Sequence, residues 1–225
     1  MIVILNIETA TKNCSVSLSQ DGKLIGIKEV NEDKFSHAEQ LHVLIEELLT
    51  ESSLDFNDLS AVAVSKGPGS YTGLRIGVSS AKGLCFSLDI PLIAVDTLEI
   101  LARAIAIEEG VVIPMIDARR MEVFTARFDK SFTELQPAEA MIIDADSFSD
   151  VGVGSSLYFI GDGALKCKEV LKDERFVFME DVVFPSAKEM VEIVYTKFLA
   201  SDFVDVAYFE PFYLKDFLIV PSKKK

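Results

Sequence analysis

Two histidines and three cysteines are all that this 225-residue chain offers as imidazole and thiol groups, whether for metal ligation or for a histidine-based catalytic pair. His37 and His42 stand five residues apart, which on one helix turns them roughly 140° from each other, so they cannot chelate one ion. Cys14, Cys85 and Cys167 are isolated and odd in number, forming neither a disulfide framework nor a metal quartet. Positive charge is also scarce: 22 Lys and Arg stand against 36 Asp and Glu, a net charge of −14. A surface that acidic repels a phosphate backbone and argues against nucleic-acid binding by this chain alone. The one basic run, Lys223-Lys224-Lys225, reads as a solvated end. No charged-then-apolar leader opens the sequence, and no apolar run approaches the roughly 18 residues that a membrane span needs. The expectation is a soluble cytoplasmic protein without a membrane partner.

What is present suits a globular α/β chain. With 49% hydrophobic and 26% charged residues it has enough apolar surface for a buried core. Ile2-Val3-Ile4-Leu5-Asn6-Ile7 is nearly continuous in apolar residues, as a strand buried on both faces requires, and it ends on Glu8. Cys14 to Ser19 alternates strictly, Asp21-Gly22 is a hairpin turn, and Lys23 to Val30 returns as a third strand. Residues 36–52 carry Leu41, Leu44, Ile45, Leu48 and Leu49 at helical steps. Pro91 to Val95 is a short strand, and Asp96-Thr97-Leu98-Glu99 has the spacing of a capping box for a helix running to about Glu109, with Gly110 as its stop.

A second lobe begins at residue 110. Val111 to Ile116 is an apolar strand that again ends on an acid, Asp117, followed by the polar turn Ala118-Arg119-Arg120 and an alternating strand, Met121 to Phe128. The repeat of strand, acid and hairpin points to an internally duplicated architecture, with residues 1–109 as one lobe and 110–225 as the other. Leu157 to Ile160 is a buried strand ending on Gly161-Asp162-Gly163, with a helix to about Leu171, and 187–201 is a further helix.

The most informative stretch is Ser65-Lys66-Gly67-Pro68-Gly69-Ser70-Tyr71-Thr72-Gly73-Leu74-Arg75-Ile76-Gly77. It follows the strand 61–64 and opens a helix to about Leu88. Strand, glycine-rich turn and helix start together can hold a phosphate or carboxylate, and equally can serve only for tight strand-to-helix packing. Ser70 or Thr72 is placed to cap the helix. The run is not a Walker A loop, which needs lysine where Leu74 or Arg75 stands. Along the helix, Gly73, Gly77, Ser80 and Ala81 make a small-residue side that admits a second helix, either of this lobe or of a partner.

Catalytic arrangements are harder to find. There is no Gly-x-Ser-x-Gly elbow, and any serine or cysteine triad would have to recruit one of the two clustered histidines. Glu8 and Asp117 could face each other across a cleft as paired carboxylates, although acids at strand ends are common.

The Gly67–Gly77 run resembles the signature of the TsaB (YeaZ) family, bacterial partners in threonylcarbamoyladenosine modification of tRNA. Ile7-Glu8-Thr9, Ser36-His37-Ala38-Glu39, Val95-Asp96-Thr97-Leu98-Glu99, Asp117-Ala118-Arg119-Arg120, Gly161-Asp162-Gly163 and Pro211-Phe212-Tyr213-Leu214-Lys215 follow that family's order. The resemblance implies a two-lobed actin-like ATPase fold (the ASKHA, ribonuclease H-like architecture) degenerate relative to TsaD. In the TsaD stretch His-Leu-Glu-Gly-His the two histidines bind metal; here Thr97 and Leu101 occupy those positions, so no metal site and no catalytic residue is carried over. It implies a non-catalytic subunit that pairs with TsaD through helices 36–52 and 74–88, meets tRNA only through that complex, engages TsaE, and can homodimerise when TsaD is absent. His37, Glu39, Tyr71, Arg75, Gly77 and Ala81 are then the candidates for the partner interface or for ATP or ADP shared across it. Glu8, Gly69, Gly73 and Asp162 would face a nucleotide by analogy of fold, although no cofactor is firmly implied. The competing reading is a stand-alone nucleotide-binding ATPase or kinase of the same fold.

Overall fold

The computed structural model describes residues 1–31, 37–151 and 154–215. The Lys223–Lys225 run and Ser36 of the His37 motif lie outside the described residues.

Two five-stranded mixed sheets carry the fold. In the first, β1 (Val3–Glu8) lies between β2 (Asn13–Gln20) and β4 (Ala61–Gly67), with β3 (Lys23–Asn31) and β5 (Leu92–Asp96) at the edges. β1 runs antiparallel to β2 and parallel to β4, with Ile7 opposite both Val16 and Val64. All six residues of β1 are buried, which its continuous apolar run demands. The β2–β3 turn, Asp21-Gly22, has both residues in the left-handed region (φ 49° and 77°), as a tight hairpin of matching twist requires.

The second sheet repeats the first strand for strand. Here β6 (Val111–Asp117) is central, antiparallel to β7 (Glu122–Phe128) and parallel to β9 (Leu157–Ile160); β8 (Glu134–Ile142) and β10 (Phe176–Phe178) form its edges. The duplication suggested by two strand–acid–hairpin units is therefore present as topology.

Helices α1 (His37–Glu51) and α2 (Tyr71–Leu88) cover one face of the first sheet. Leu41, Ile45 and Leu48 of α1 and Val78, Ala81 and Cys85 of α2 meet Leu5, Ile7, Val16, Val62 and Val64. The other face is covered from the far end of the chain. After β10 the backbone returns to the first sheet, where a 3-10 turn (Ala187–Met190) and helix α5 (Val191–Leu199) bury Ala187, Met190, Ile193 and Val194 against Ile4, Ala61, Ala63 and Ile93. The strict alternation of β2 serves both covers. Its apolar residues face α1 and α2, while Ser15 Oγ accepts the Ala187 N–H (3.0 Å) and Ser17 Oγ donates to the Ala187 carbonyl (2.8 Å).

Helix α3 (Thr97–Ala102) joins the two sheets. Ile100 packs into the first-sheet core, whereas Leu98, Leu101 and Ala102 pack with Val112, Ile116, Phe124 and Ile160 of the second. The capping-box spacing predicts a longer helix, but α3 stops after six residues. Its Asp96 makes no side-chain cap; the carboxylate instead pairs with Lys66 at 3.0 Å, and Glu99 pairs with Arg103 at 3.1 Å. A tertiary ion pair has taken the carboxylate of the cap and a local i,i+4 pair that of Glu99, and a helix wedged between two sheets cannot extend without leaving its socket. Helix α4 (Asp162–Cys167) is likewise shorter than its periodicity suggests. No helix among the described residues is long and apolar enough to cross a membrane.

Leu101 is fully buried at the contact of α3 with the second sheet. Leu101→Ala is expected to lower stability by about 2–5 kcal/mol, read as a shift of the urea midpoint.

Candidate functional site

The glycine-rich run closes on the β1–β2 turn. Ser70 N–H donates to the Ala10 carbonyl (2.7 Å), and Thr9 Oγ1 donates to the Gly73 carbonyl (2.8 Å). Ser70 is the N-cap of α2, its hydroxyl accepting from the Gly73 N–H at 3.3 Å. A Cβ placed on Gly69 would collide with the Ala10 carbonyl oxygen, one on Gly73 with the Thr9 carbonyl oxygen, and one on Gly77 with Thr9 Oγ1. Glycine at these positions lets a helix lie on bare backbone. On this side of the turn the glycines lie directly against residues 9 and 10 of the same chain.

Gly77 and Ala81 therefore face inward. Both are buried, and Ala81 belongs to the core beneath α1 and α2. The small-residue side of α2 is a packing face of its own lobe, which corrects the expectation that it meets a partner. The outward side of the two helices is different in character. Phe86 is 86% and Val43 47% exposed. Gly83 has nothing over its Cα, and His42 meets Ser80 Oγ at 3.2 Å beside a hollow of about 370 Å³ lined by Ser79, Gly83 and Leu84.

Glu8, at the end of β1, is fully buried. Its Oε1 accepts the Ala10 N–H at 2.6 Å, while Oε2 has no hydrogen-bond partner among the described residues. Ser65 Oγ lies beside the carboxyl, close enough to temper its affinity for the proton, without closing a hydrogen bond. Burial pushes the Glu8 carboxyl up from 4.5 to about 7. Asp117 is exposed and ion-paired to Lys166, and its near acid is Asp162, which accepts the Asp117 N–H at 2.9 Å. Glu8 and Asp117 thus do not form a carboxylate pair. Asp162 is held above the usual aspartate range by burial. The turn before it is also a packing device: Gly161, at φ 100°, lies against the Met115 carbonyl.

His37 is buried, its ring Nε2 2.8 Å from the Thr11 carbonyl oxygen, and desolvation lowers its pKa. It is a core histidine, not a surface one. Glu39 is exposed in the first turn of α1. Thr97 and Leu101 also serve the fold, Thr97 Oγ1 accepting the Gly67 N–H (3.1 Å) and Leu101 filling the second core. The thiols of Cys14 and Cys85 are pushed up to about 11 by burial, which makes them poor nucleophiles.

Tyr71 and Arg75 do come together, along with Tyr213 of the Pro211–Lys215 motif. The Arg75 guanidinium lies 4.2 Å from the Tyr71 ring centroid, and its Nε donates to Tyr213 Oη at 3.1 Å. The Tyr71 and Tyr213 rings stand 4.9 Å apart. Tyr213 belongs to a strap over 203–215 that lies across the glycine run. Phe212 N–H donates to the Lys66 carbonyl (2.7 Å), and Lys82 donates to the carbonyls of Ala207 (3.2 Å) and Phe209 (2.9 Å). The strap then reaches the second sheet, with Leu214 packed against that sheet's core cluster and Lys215 paired to Glu122. Pro211-Phe212-Tyr213 was its sequence signal; nothing local said what the aromatics would touch. A separate polar cleft of about 410 Å³, lined in part by Asn13, Glu29, Asn31 and Lys188, was not visible in the sequence at all.

Comparisons with known proteins agree on kind. The family model described as "TsaD: tRNA N6-adenosine threonylcarbamoyltransferase" matches residues 32–207. The tRNA threonylcarbamoyladenosine biosynthesis protein TsaB of Escherichia coli K12 is 30% identical over 220 residues, covering 95% of this chain and 94% of that protein. The protein of the same name from Bacillus subtilis 168 is 38% identical over 127 residues, 56% of this chain and 55% of its own. Among solved structures, YeaZ from Pseudomonas aeruginosa superposes with a TM-score of 0.81 at 23% identity, over 95% of this chain and all of that one. Component A of the Acidaminococcus fermentans (R)-2-hydroxyglutaryl-CoA dehydratase has a TM-score of 0.52 at 11% identity, covering 88% and 99%. The architecture is that of the two-lobed actin-like ATPases.

The Glu8 carboxyl gives a signed pH prediction. The folded chain holds the proton to about pH 7 and the unfolded chain releases it near 4.5, so stability falls as pH rises through that window and levels off above it. Glu8→Gln can keep the Ala10 hydrogen bond and escapes this loss. Denaturant titrations should find the variant's advantage over wild type larger at pH 8 than at pH 4 by on the order of 3 kcal/mol.

Proposed function

Since this chain belongs to the TsaB family of the tRNA threonylcarbamoyladenosine pathway, we propose that it acts there as a non-catalytic partner subunit of TsaD. The transfer of the threonylcarbamoyl group to the adenosine beside the tRNA anticodon is then TsaD's chemistry, and this chain supplies a docking lobe. The observation that carries the reading is the filled glycine loop: Gly69 and Gly73 lie against the Thr9–Ala10 backbone, leaving the helix start no cradle of its own. A stand-alone ATPase or kinase would need that loop, with Glu8, open to phosphates. Glu8 is buried instead, and Thr97 and Leu101 carry no metal-binding group.

Docking uses the first lobe, 1–109, through the outward sides of helices 36–52 and 74–88. An aromatic ring left in water at Phe86 of α2, with Val43 of α1 and the bare Gly83 also exposed, is the surface expected where a second protein covers a helix pair. Glu39, Tyr71 and Arg75 stand at the rim, where ATP or ADP could be shared with the partner. TsaE joins the assembled pair, and in the absence of TsaD the same helix surface supports a homodimer.

Phe86→Lys tests this without disturbing the fold, because the ring is exposed and a cation near a helix C-terminus is tolerated. Co-purification with TsaD is expected to weaken at least tenfold while the melting temperature stays within a degree or two. An unchanged complex would remove helix α2 from the interface.

A further inference from the structure

The β6–β7 hairpin ends in two adjacent arginines that the reading above leaves without a task. Arg119 and Arg120 both sit in the left-handed region, at φ 71° and 54°, where turns normally place asparagine or glycine. The turn is fixed at its base. Ala118 N–H donates to the Glu122 carbonyl (3.1 Å), Arg119 N–H to Asp117 Oδ1 (2.7 Å) and Glu122 N–H to the Arg119 carbonyl (3.3 Å). Both side chains are exposed, and neither guanidinium has an ion pair or hydrogen bond among the described residues. The acids that could neutralise them are already engaged, Asp117 by Lys166 and Glu122 by Lys215. Lys166 Nζ is held further by the Glu122 carbonyl at 2.6 Å. Asp162 stands behind the strand end, mostly buried and bonded to the Asp117 N–H.

On a chain of net charge −14 this leaves two exposed positive charges, without an ion pair among the described residues, on a turn whose backbone is fixed. The site is a tip, not a pocket. Neither the 410 Å³ cleft nor the 370 Å³ hollow is lined by either arginine. A convex pair of guanidiniums suits the phosphates of an extended polyanion, which come to it in rows, better than a small anion that needs enclosure. Its neighbours extend the same surface: the strap pairs Lys215 with Glu122 beyond the turn and leads to the exposed Tyr213–Arg75 contact, adding a third guanidinium and an aromatic ring.

We propose that the Arg119–Arg120 hairpin tip is a docking point for the phosphate backbone of the tRNA on which the assembled complex works. The inference rests on the subunit reading above and assigns this chain a direct part in holding the substrate. It is compatible with weak binding by the isolated chain, because the acidic remainder of the surface repels RNA until the partner supplies the rest of the contact.

The test uses the purified complex with TsaD and labelled tRNA, followed by fluorescence anisotropy over a range of salt. The variant is Arg119→Asn with Arg120→Asn, since asparagine keeps the left-handed turn while removing both charges. Affinity near 0.1 M salt should fall roughly tenfold or more, and the slope of log affinity against log salt should flatten by about 1.5. The paired Arg→Lys variant should keep most of that slope. Melting temperature and TsaD association, measured on the same samples, should match wild type. Unchanged tRNA affinity and slope would overturn the proposal. So would loss of TsaD association, which would make the tip a protein contact, or loss of Mg-ATP affinity with tRNA affinity intact, which would make it a nucleotide site. A wild-type chain that fails to pair with TsaD would instead sink the subunit reading and this inference together.

Discussion

The contact between the first turns of α2 and the bare backbone of Thr9 and Ala10 sets the arrangement on which the rest of the first lobe depends. It needs glycine at three positions four residues apart, because at each of them a methyl group would strike an atom of residues 9 or 10. That approach fixes the end of β1, orders the turn into β2, and turns the Gly77–Ala81 side of α2 into the core beneath α1. The opposite side of the helix is left in water. The same geometry thus gives one side of α2 to the chain's own backbone and core and leaves the other exposed.

The two lobes are held together by elements that belong wholly to neither sheet. Helix α3 divides its apolar residues between both cores. The returning segment 185–199 covers the first sheet, and the strap beyond it runs from Lys66 and Lys82 to Glu122. Its polar links are partly exposed ion pairs and hydrogen bonds, each worth little by itself, so the apolar seating of α3 in both cores must dominate the coupling. Electrostatics matter more for what is left over. Among the acids at the second hairpin, Asp117 and Glu122 have lysine partners, and the two arginines at its tip have none among the described residues.

Much of this was legible in the amino-acid sequence, for reasons that can be stated. Buried parallel strands announce themselves by unbroken apolar runs, and Asp21-Gly22 and the glycine signature can adopt few conformations, so β1, β2, β3, β4 and α2 were readable from local chemistry. The duplicated strand–acid–hairpin unit announced two repeated sheets, and the actin-like fold class came with the family resemblance. What could not be read depends on contacts between distant residues. A stripe of glycines says that something approaches closely but not whether it belongs to the same chain. Asp96 has the spacing of a cap, and a lysine thirty positions earlier captured its carboxylate. His37 sits on an otherwise amphipathic helix and gives no sign that Thr11 waits to bury it. The strap's aromatics found Tyr71 and Arg75 more than a hundred residues away.

The central claim is that the glycine run serves packing within the chain and holds no nucleotide of its own. Thermal unfolding of the isolated wild-type chain and of Gly73→Ala, each with and without Mg-ATP, tests it most directly. Alanine inside a helix ordinarily stabilises by roughly 0.5–1 kcal/mol relative to glycine. Here the account predicts the opposite sign, a large loss of melting temperature or failure to fold, because the added methyl meets the Thr9 carbonyl; it also predicts no shift of the wild-type midpoint with Mg-ATP. A Gly73→Ala chain as stable as wild type that had lost a nucleotide-induced stabilisation present in wild type would contradict it.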